Sequence, residues 1–274
     1  MPCDFKIHSI CVVKNEGDVI GACLNAAARW SDRIIVYDGQ SEDDTWDVVC
    51  SMASEKIIPW KRDGKVFQES LRAEVFNAFR EGARPGDWWC HLDADEFYLE
   101  NPRAFLARVR PPEHVVWGVA VEFYLTEQDV SPGYQLRPEV PPADLERLQF
   151  YAVTNSEPRF FRDRKRLTWP NHTGWPVNLG PVHPRRLLYK HYKYRSPEQM
   201  QRRLATRLRS VAGGFSGWEH ARTDDWHDKI HPSGSLQRLT AAGPQYDERL
   251  LPQHLDPLVK RMAKRYLHQL GILP

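Results

Sequence analysis

The first hundred residues alternate between short apolar runs and amphipathic segments. Apolar or β-branched runs at 7–13, 33–37, 56–60 and 88–92 are typical of buried strands. Between them, apolar residues recur at helical spacing in 19–30, behind the turn at 38–45, and in 67–79. Ser41, with Asp44 three residues later, predicts a capping box for the second of these helices. A chain that alternates in this way forms a mostly parallel sheet with helices on both faces. We therefore predict an α/β fold with a three-layer, Rossmann-like, mostly parallel sheet.

The pattern changes after residue 100. Asn101 and Pro102 are expected as the N-cap and first residue of a helix. Residues 115–126 alternate strictly and predict a long half-buried strand with Glu122 on its less apolar face. Residues 127–156 contain four prolines and predict a long loop, which is followed by strands at 158–161 and 187–192. Helices are expected from Ser196 onward and over 255–270. In the first of them, Arg202, Arg203, Arg207 and Arg209 lie off the apolar stripe, and we interpret them as a solvated face.

Composition narrows the class of protein. The chain has 274 residues, of which 41% are hydrophobic and 27% charged, as in ordinary globular proteins. A net charge of +2 argues against a nucleic-acid partner. There is no apolar run long enough to span a membrane and no signal-peptide pattern, and the five cysteines form no Cys-x-x-Cys pair. We expect a cytoplasmic protein.

An acidic cluster follows the strand at 88–92. Asp93, Asp95 and Glu96 come directly after the apolar run. Residues two apart on an extended chain point the same way, so Asp93 and Asp95 can face one divalent cation, which in turn can neutralise a phosphate. The alternative is a polar strand end followed by a solvated turn.

Two other predicted strands also end in polar clusters, at 14–16 and 38–45. In a parallel sheet the carboxyl ends of the strands converge, so the three clusters can hold a base, a ribose and a metal-bound diphosphate. The chain has neither a dinucleotide fingerprint nor a P-loop. Phosphate charge would then be met by a cation and by arginines such as Arg72.

Together these segments resemble the family 2 glycosyltransferases of the glycosyltransferase A fold. The resemblance rests on the order of four pieces, which are Val12-Val13-Lys14-Asn15-Glu16, the Asp-x-x-Ser-x-Asp-x-Thr turn at 38–45, Arg72 and Asn77 on a helix that faces the diphosphate, and Gly86 through Phe97 with its Asp-x-Asp. Later, residues 191–196 resemble a His-Tyr-x-Tyr-Arg-Ser segment of one subgroup, whose acceptors are poorly defined.

The resemblance implies transfer of a sugar from a nucleotide-diphosphate sugar to an acceptor hydroxyl, with inversion expected. It places Asp38 on the nucleotide with Lys14, Asn15 and Glu16 nearby. It also places Asp93 and Asp95 on the ribose and on a Mn²⁺ or Mg²⁺ ion. His191 is a candidate third metal ligand. Two carboxylates and an imidazole suit Mn²⁺ better than Mg²⁺.

The base that deprotonates the acceptor has no clear counterpart in the sequence. Glu122 is our first choice because it lies on the less apolar face of its strand, and Asp129 and His172 are rivals. Trp169, Trp175 and Trp218 are candidates for stacking on sugar rings, although tryptophan in loops is more often packing.

One catalytic domain is expected over 1–274, with a nucleotide-sugar half at 1–100, an acceptor-side half at 101–195 and a C-terminal helical region at 196–274. The acceptor would be a glycan, a lipid-linked or a small-molecule hydroxyl, as in surface glycan or glycoconjugate synthesis. Contact of Arg202 to Arg209 with anionic lipid at the inner face of a membrane is an alternative to their solvation. The competing functions are a nucleotidyltransferase on a similar sheet and a non-catalytic carbohydrate-binding protein derived from a transferase.

Overall fold

The computed structural model describes residues 5–65, 68–214 and 223–273. In this part of the chain nine strands form one sheet. They are β1 Ile7–Val13, β2 Arg33–Asp38, β3 Ile57–Arg62, β4 Trp88–Leu92, β5 Glu96–Tyr98, β6 Val115–Tyr124, β7 Phe150–Arg162, β8 Leu187–His191 and β9 Gln237–Arg238. The order is β3-β2-β1-β4-β7-β6-β8-β5, and β9 pairs with β7.

Strands β3, β2, β1 and β4 are parallel and form the Rossmann-like half. The chain first builds outward from β1 to β2 and β3, and then returns to place β4 on the other side of β1. The strand order therefore reverses between β1 and β4, and open α/β sheets bind ligands at such a reversal. The register pairs Val13 with Asp38 and Cys11 with Leu92, so the carboxyl ends of all three strands lie together.

Helices cover both faces of this half and confirm the predicted α/β layers. They are α1 Ile20–Ala27, α2 Thr45–Ser51, α3 Leu71–Phe79 and α4 Pro102–Leu106. Residues of β1 alternate between two cores: Cys11 and Val13 pack with α1 and α4, whereas Ile10 and Val12 pack with α3. The alternation follows from the two-residue period of a strand that is buried on both faces.

The other half makes the sheet mixed rather than parallel throughout. Strand β7 lies between β4 and β6 and is antiparallel to both. Strand β8 is parallel to β6, and the short β5 is antiparallel to β8. In these pairings His191 of β8 is opposite Glu122 of β6 on one side and Glu96 of β5 on the other. Residues far apart in the sequence are thus placed in one row beside the Asp93–Asp95 turn.

Of the predictions made for single helices and strands, one is confirmed and others are wrong. The Asn101 side chain accepts hydrogen bonds from the backbone N–H groups of Arg103 and Ala104, which confirms it as the N-cap of α4. The predicted capping box of Ser41 and Asp44 is wrong, because α2 begins at Thr45 and its N-cap Asp44 makes no side-chain capping bond. Strand β6 is buried on both faces and not half-buried as predicted, since all its residues but Trp117 are buried.

The C-terminal region contains two long helices, α5 Pro197–Ala212 and α6 Leu258–Gln269. The Ser196 side chain caps α5 by accepting from the N–H of Gln199. Between the helices the described chain forms short 3₁₀ turns and β9. Within the described ranges no helix is both long and apolar enough to cross a bilayer.

Candidate functional site

A cavity of about 190 Å³ opens at the carboxyl ends of β1 and β4 and is bounded by α3 and α5. Its charged and polar lining comes from the strand-end loops, the two helices and β8. These residues are Lys14, Asn15, Glu16, Glu69, Arg72, Asp93, Asp95, His191, Arg203, Thr206 and Arg207. A second cavity, also of about 190 Å³, shares Lys14 and Thr206 with it and continues along α5. The structure therefore brings most of the predicted site residues around one space.

The loop after β1 is fixed by the turn after β2. Asn15 has a φ of 57°, in the left-handed region that asparagine tolerates better than most residues. Its N–H donates to the Ser41 hydroxyl at 2.8 Å, and its side-chain oxygen accepts from the N–H of Glu42. Lys14 donates to the carbonyl of Gly39 at 2.7 Å. These bonds hold Asn15 and Glu16 at the cavity wall.

Asp93 and Asp95 lie on a tight turn between β4 and β5, and not on an extended chain as predicted. The N–H of Glu96 donates to the carbonyl of Asp93 and closes this turn. Asp93 forms an ion pair with Arg72, and Asp95 accepts from Arg203 at 3.1 Å. Each carboxylate therefore has its own guanidinium partner.

Charge partners control the ionisation of both aspartates. Burial alone would raise the pKa of Asp93, but the charge of Arg72 and a hydrogen bond with His91 outweigh it and hold the pKa well below its usual range. Burial also opposes ionisation of Asp95, whereas His191 and Arg203 lower its pKa. Both groups are therefore carboxylates at neutral pH.

His191 lies between two carboxylates. Its Nε2 is 3.5 Å from Oδ1 of Asp95, and its Nδ1 is 3.6 Å from Oε1 of Glu122. Burial lowers the pKa of His191, but the two carboxylates outweigh burial and raise the pKa to about 10. Glu122 also accepts from Lys193 at 2.9 Å and from the Tyr124 hydroxyl at 2.7 Å. Its carboxylate is thus linked to the cavity through His191.

The α5 arginines contradict the solvated-face interpretation in part. Arg203 pairs with Glu16 at 2.6 Å as well as with Asp95, and Arg207 lines the cavity next to the Tyr194 hydroxyl. Arg202 pairs with Asp43 at 3.2 Å, and only Arg209, which pairs with Glu42, is largely exposed. Helix α5 lies across the loops after β1 and β2, so these arginines face acids of the strand ends. They offer no free cationic face to lipid.

The donor types around the cavity fit a divalent metal ion. Two ligands at about 2.1 Å from a metal and 90–110° apart are separated by about 3.0–3.4 Å, close to the Asp95–His191 spacing. A carboxylate on the other imidazole nitrogen, here Glu122, is the usual support of a metal-bound histidine. In the described ranges no three His, Cys, Asp or Glu side chains already converge as a metal site, since arginines hold the carboxylates.

Besides Glu122, four predicted residues lie outside the cavity lining. Asp38 is fully buried at the end of β2, where it accepts from the N–H of Ser41, and its Oδ2 has no hydrogen-bond partner. Asn77 is exposed and donates to Asn171 and to the carbonyl of Trp169. Asp129 accepts from the N–H and hydroxyl of Thr126 and closes a turn, and His172 is exposed on another turn.

The structure describes two of the three tryptophan candidates for stacking on sugar rings. Trp169 is buried in the core beneath α3, and Trp175 packs 4.9 Å from the ring of His91. Trp218 lies outside the described residues.

Besides the lining residues Glu69, Arg203, Thr206 and Arg207, three residues that contact the site were not predicted for it. Arg159 of β7 is fully buried and binds Glu96, with Asp93 3.5 Å away. Arg195 pairs with Glu16 and Asp18, and with Asp95 at 3.7 Å. His91 contacts Asp93 at 3.3 Å, and burial and Arg72 lower its pKa to about 3, so it is neutral. Two of these three lie in segments that carry the resemblance, Arg195 in 191–196 and His91 in 86–97, whereas no sequence signal marked Arg159 for the site.

Sequence comparison supports the resemblance over a third of the chain. No family model matches. Over 92 residues the chain is 33% identical to uncharacterized glycosyltransferases of Rickettsia prowazekii and Rickettsia typhi. The aligned part is 33% of this chain and spans only 28% of the length of those curated relatives. Similarity to proteins named glycosyltransferases is thereby confirmed for that part.

Structural comparison gives weak matches. TarS of S. aureus in complex with UDP is 14% identical, with 79% of this chain and 68% of that chain covered and a TM-score of 0.38. GalNAc-T7 with UDP, GalNAc and Mn²⁺ is 12% identical, with 80% and 50% covered and a TM-score of 0.40. At such scores neither structure establishes a function for this chain.

Proposed function

We propose that this protein is a metal-dependent glycosyltransferase that moves a sugar from a nucleotide-diphosphate sugar to an acceptor hydroxyl. The observation that carries the proposal is the convergence of Asn15, Glu16, Asp93, Asp95 and His191 on one cavity where the strand order reverses. The similarity of a third of the chain to glycosyltransferases supports the same reaction.

The charge of the cavity supports a role for the metal. The cavity lining has a net positive charge before any ligand enters, because His191 is protonated at neutral pH. Five basic side chains, Lys14, Arg72, His191, Arg203 and Arg207, stand against the four acidic ones, Glu16, Glu69, Asp93 and Asp95. A bound diphosphate would leave a negative excess, which a divalent cation offsets. Asp95 and His191, with Asp93 beside them, would hold the cation, and His191 would have to give up its proton to bind it. The cation would stabilise the departing nucleoside diphosphate.

The arginines would bind the donor phosphates directly. Arg72 and Arg203 already present guanidinium groups to the carboxylates at the cavity wall. Asp93 and Asp95 would be balanced by the cation that they hold, and Arg72 and Arg203 would then donate to phosphate oxygens, which guanidinium groups bind in a planar, bidentate manner. The diphosphate would then be fixed between the β4–β5 turn and α5.

We assign Glu122 as the base that takes the acceptor proton in an inverting transfer. Among the three candidates it alone contacts a described residue of the cavity lining, His191. Burial would raise its pKa, but His191 and Lys193 lower the pKa well below the usual range and keep Glu122 ionised. Asp129 is engaged in its own turn.

Donor turnover tests the proposal. The protein is incubated with a panel of nucleotide sugars and Mn²⁺, and release of nucleoside diphosphate is measured. We expect turnover with at least one donor, and a fall of at least about a hundredfold for Asp95→Asn, because the metal stabilises the leaving group. Asp144→Asn changes an exposed aspartate outside the cavity lining and serves as the control.

Other products would identify the competing functions. Release of pyrophosphate would favour a nucleotidyltransferase. Binding of sugar without turnover of any donor would favour the non-catalytic alternative. Unchanged turnover in Asp95→Asn would refute the metal assignment.

A further inference from the structure

Helix α6 presents its apolar stripe to solvent. Leu258, Val259, Met262 and Tyr266 are 61–80% exposed, and Leu270 continues the same four-residue spacing beyond the helix. No residue of α6 belongs to the described hydrophobic cores. A surface helix normally buries such a stripe against its own domain, so this apolar face is available to something outside the described chain.

The opposite side of α6 attaches the helix to the protein through polar contacts. Arg265 forms an ion pair with Glu113, and His268 lies 3.4 Å from Arg164. Lys260 and Lys264 pair with Asp256 just before the helix. These contacts fix the helix with its apolar stripe outward and leave the Lys260 side chain 61% exposed.

The surroundings of α6 are basic. The helix carries four lysines and arginines and no acidic residue. Arg110, Lys165 and Arg166 are exposed on the loops that carry its partners Glu113 and Arg164. We call the exposed side chains of α6 together with these three residues the α6 surface.

We propose that the α6 surface docks on an anionic lipid bilayer, with the helix lying parallel to the membrane plane. An amphipathic helix with an apolar face and flanking cations binds the headgroup region by inserting the apolar side chains while the cations contact acidic lipids. Tyr266 is of the type that prefers the interface between water and hydrocarbon.

Charge favours a bilayer over a second copy of the chain. A two-fold dimer would place the same surface against itself. The cations at Lys260, Lys165, Arg166 and Arg110 would then face their own equivalents and repel. An anionic membrane instead attracts each of them. The proposal does not depend on the proposed glycosyltransferase reaction.

Vesicle sedimentation tests the proposal. The protein is mixed with vesicles of phosphatidylcholine containing about a third phosphatidylglycerol, and with vesicles of phosphatidylcholine alone. We expect sedimentation with the anionic vesicles, weakened by high salt, and little with the neutral ones. The double substitution Val259→Ser/Met262→Ser should lower the partition coefficient at least about tenfold, because two apolar side chains no longer insert.

Matched variants separate the apolar and electrostatic parts. Leu136→Ser changes a 41% exposed leucine on the loop beside α5 and should leave vesicle binding unchanged. Lys165→Gln and Arg166→Gln should each weaken binding to anionic vesicles about fivefold. Because every substituted side chain is exposed, the melting temperature should not change, which shows that the variants fold.

Three outcomes would overturn the proposal. The first is absence of sedimentation with anionic vesicles. The second is equal binding to both vesicle types. The third is a dimer, seen by sedimentation velocity, that Val259→Ser/Met262→Ser dissociates without any change in vesicle binding.

Discussion

Replacing Arg159 with methionine should test how the acidic turn is held in place. Arg159 is fully buried on β7, and its guanidinium group binds Glu96 and Glu157 and donates to the Tyr189 hydroxyl at 2.7 Å. Asp93 lies 3.5 Å from the same group. Methionine fills much of the side-chain volume but cannot balance the carboxylates, so Glu96 would be left buried without its main cation.

Loss of one partner from a buried ion pair typically costs about 3–5 kcal/mol. That is a large part of the roughly 5–15 kcal/mol by which proteins are stable. At about 2–4 °C per kcal/mol for a chain of this size, the melting temperature should fall by about 6–20 °C. Burial raises the pKa of Glu96 to about 8 despite Arg159, so the assay is run above that pH, where Glu96 is a carboxylate. Urea unfolding followed by tryptophan fluorescence then measures the free energy of unfolding.

Arg209→Met is the matched control, because Arg209 pairs with Glu42 at an exposed position. Removing an exposed ion pair should cost about 1 kcal/mol or less. Adding Glu96→Gln to Arg159→Met removes the buried carboxylate that Arg159 no longer neutralises. The double variant should therefore lose less stability than the sum of the losses in the two single variants. We expect a coupling free energy of about 1–3 kcal/mol. Equal losses for Arg159→Met and Arg209→Met, or strict additivity of the pair, would refute this reasoning.

Three further predictions concern stability. Asn101→Ala removes the cap of α4 and should cost about 1 kcal/mol in urea unfolding; no loss would mean that the cap is dispensable. Gly118→Ala would place a Cβ 2.7 Å from the Tyr189 ring and 2.8 Å from Cγ of Arg159. This overpacking should lower the free energy of unfolding by about 1–3 kcal/mol in the same assay. Unchanged stability would show that Tyr189 and Arg159 move to make room for the methyl group. Burial raises the pKa of Glu198, but hydrogen bonds from an arginine and a tyrosine outweigh it and lower the pKa from 4.5 to about 2. Glu198 therefore contributes stability above its unfolded pKa that is lost as the pH falls from about 4.5 to 2, and Glu198→Gln should lose less over that range; identical acid profiles would contradict the assignment.

Local sequence signals predicted the parallel half of the fold well. The β-branched run at 7–13 became β1 with the same bounds, and Asn101-Pro102 began α4 as expected. Such signals succeed because strand burial and helix capping depend on residues within a few positions of each other. The failure at Ser41 has a tertiary cause, since the hydroxyl accepts from the N–H of Asn15 instead of capping α2.

The candidate site was predicted only in part, for a related reason. The clusters at Asn15-Glu16 and at Asp93 to Glu96 were found because strand ends of a parallel sheet converge. The partners of those acids come from elsewhere: Arg159 from an antiparallel strand, and Arg203 from a helix whose rotation about its axis the sequence left open. Helical spacing shows that residues share a face, but it does not show what that face meets.

By itself, the sequence determined the alternating elements of the first hundred residues, the acidic strand ends and the resemblance to glycosyltransferases. Each of these features depends on a pattern among residues that are close together in the sequence. Only the tertiary structure decided that β7 separates β4 from β6, that β8 carries His191 between Glu122 and Asp95, and that arginines hold the aspartates. Several of those features arise from contacts between residues 69 to 108 positions apart in the sequence. Strand order and helix docking are set by the total packing of the chain and not by any local pattern.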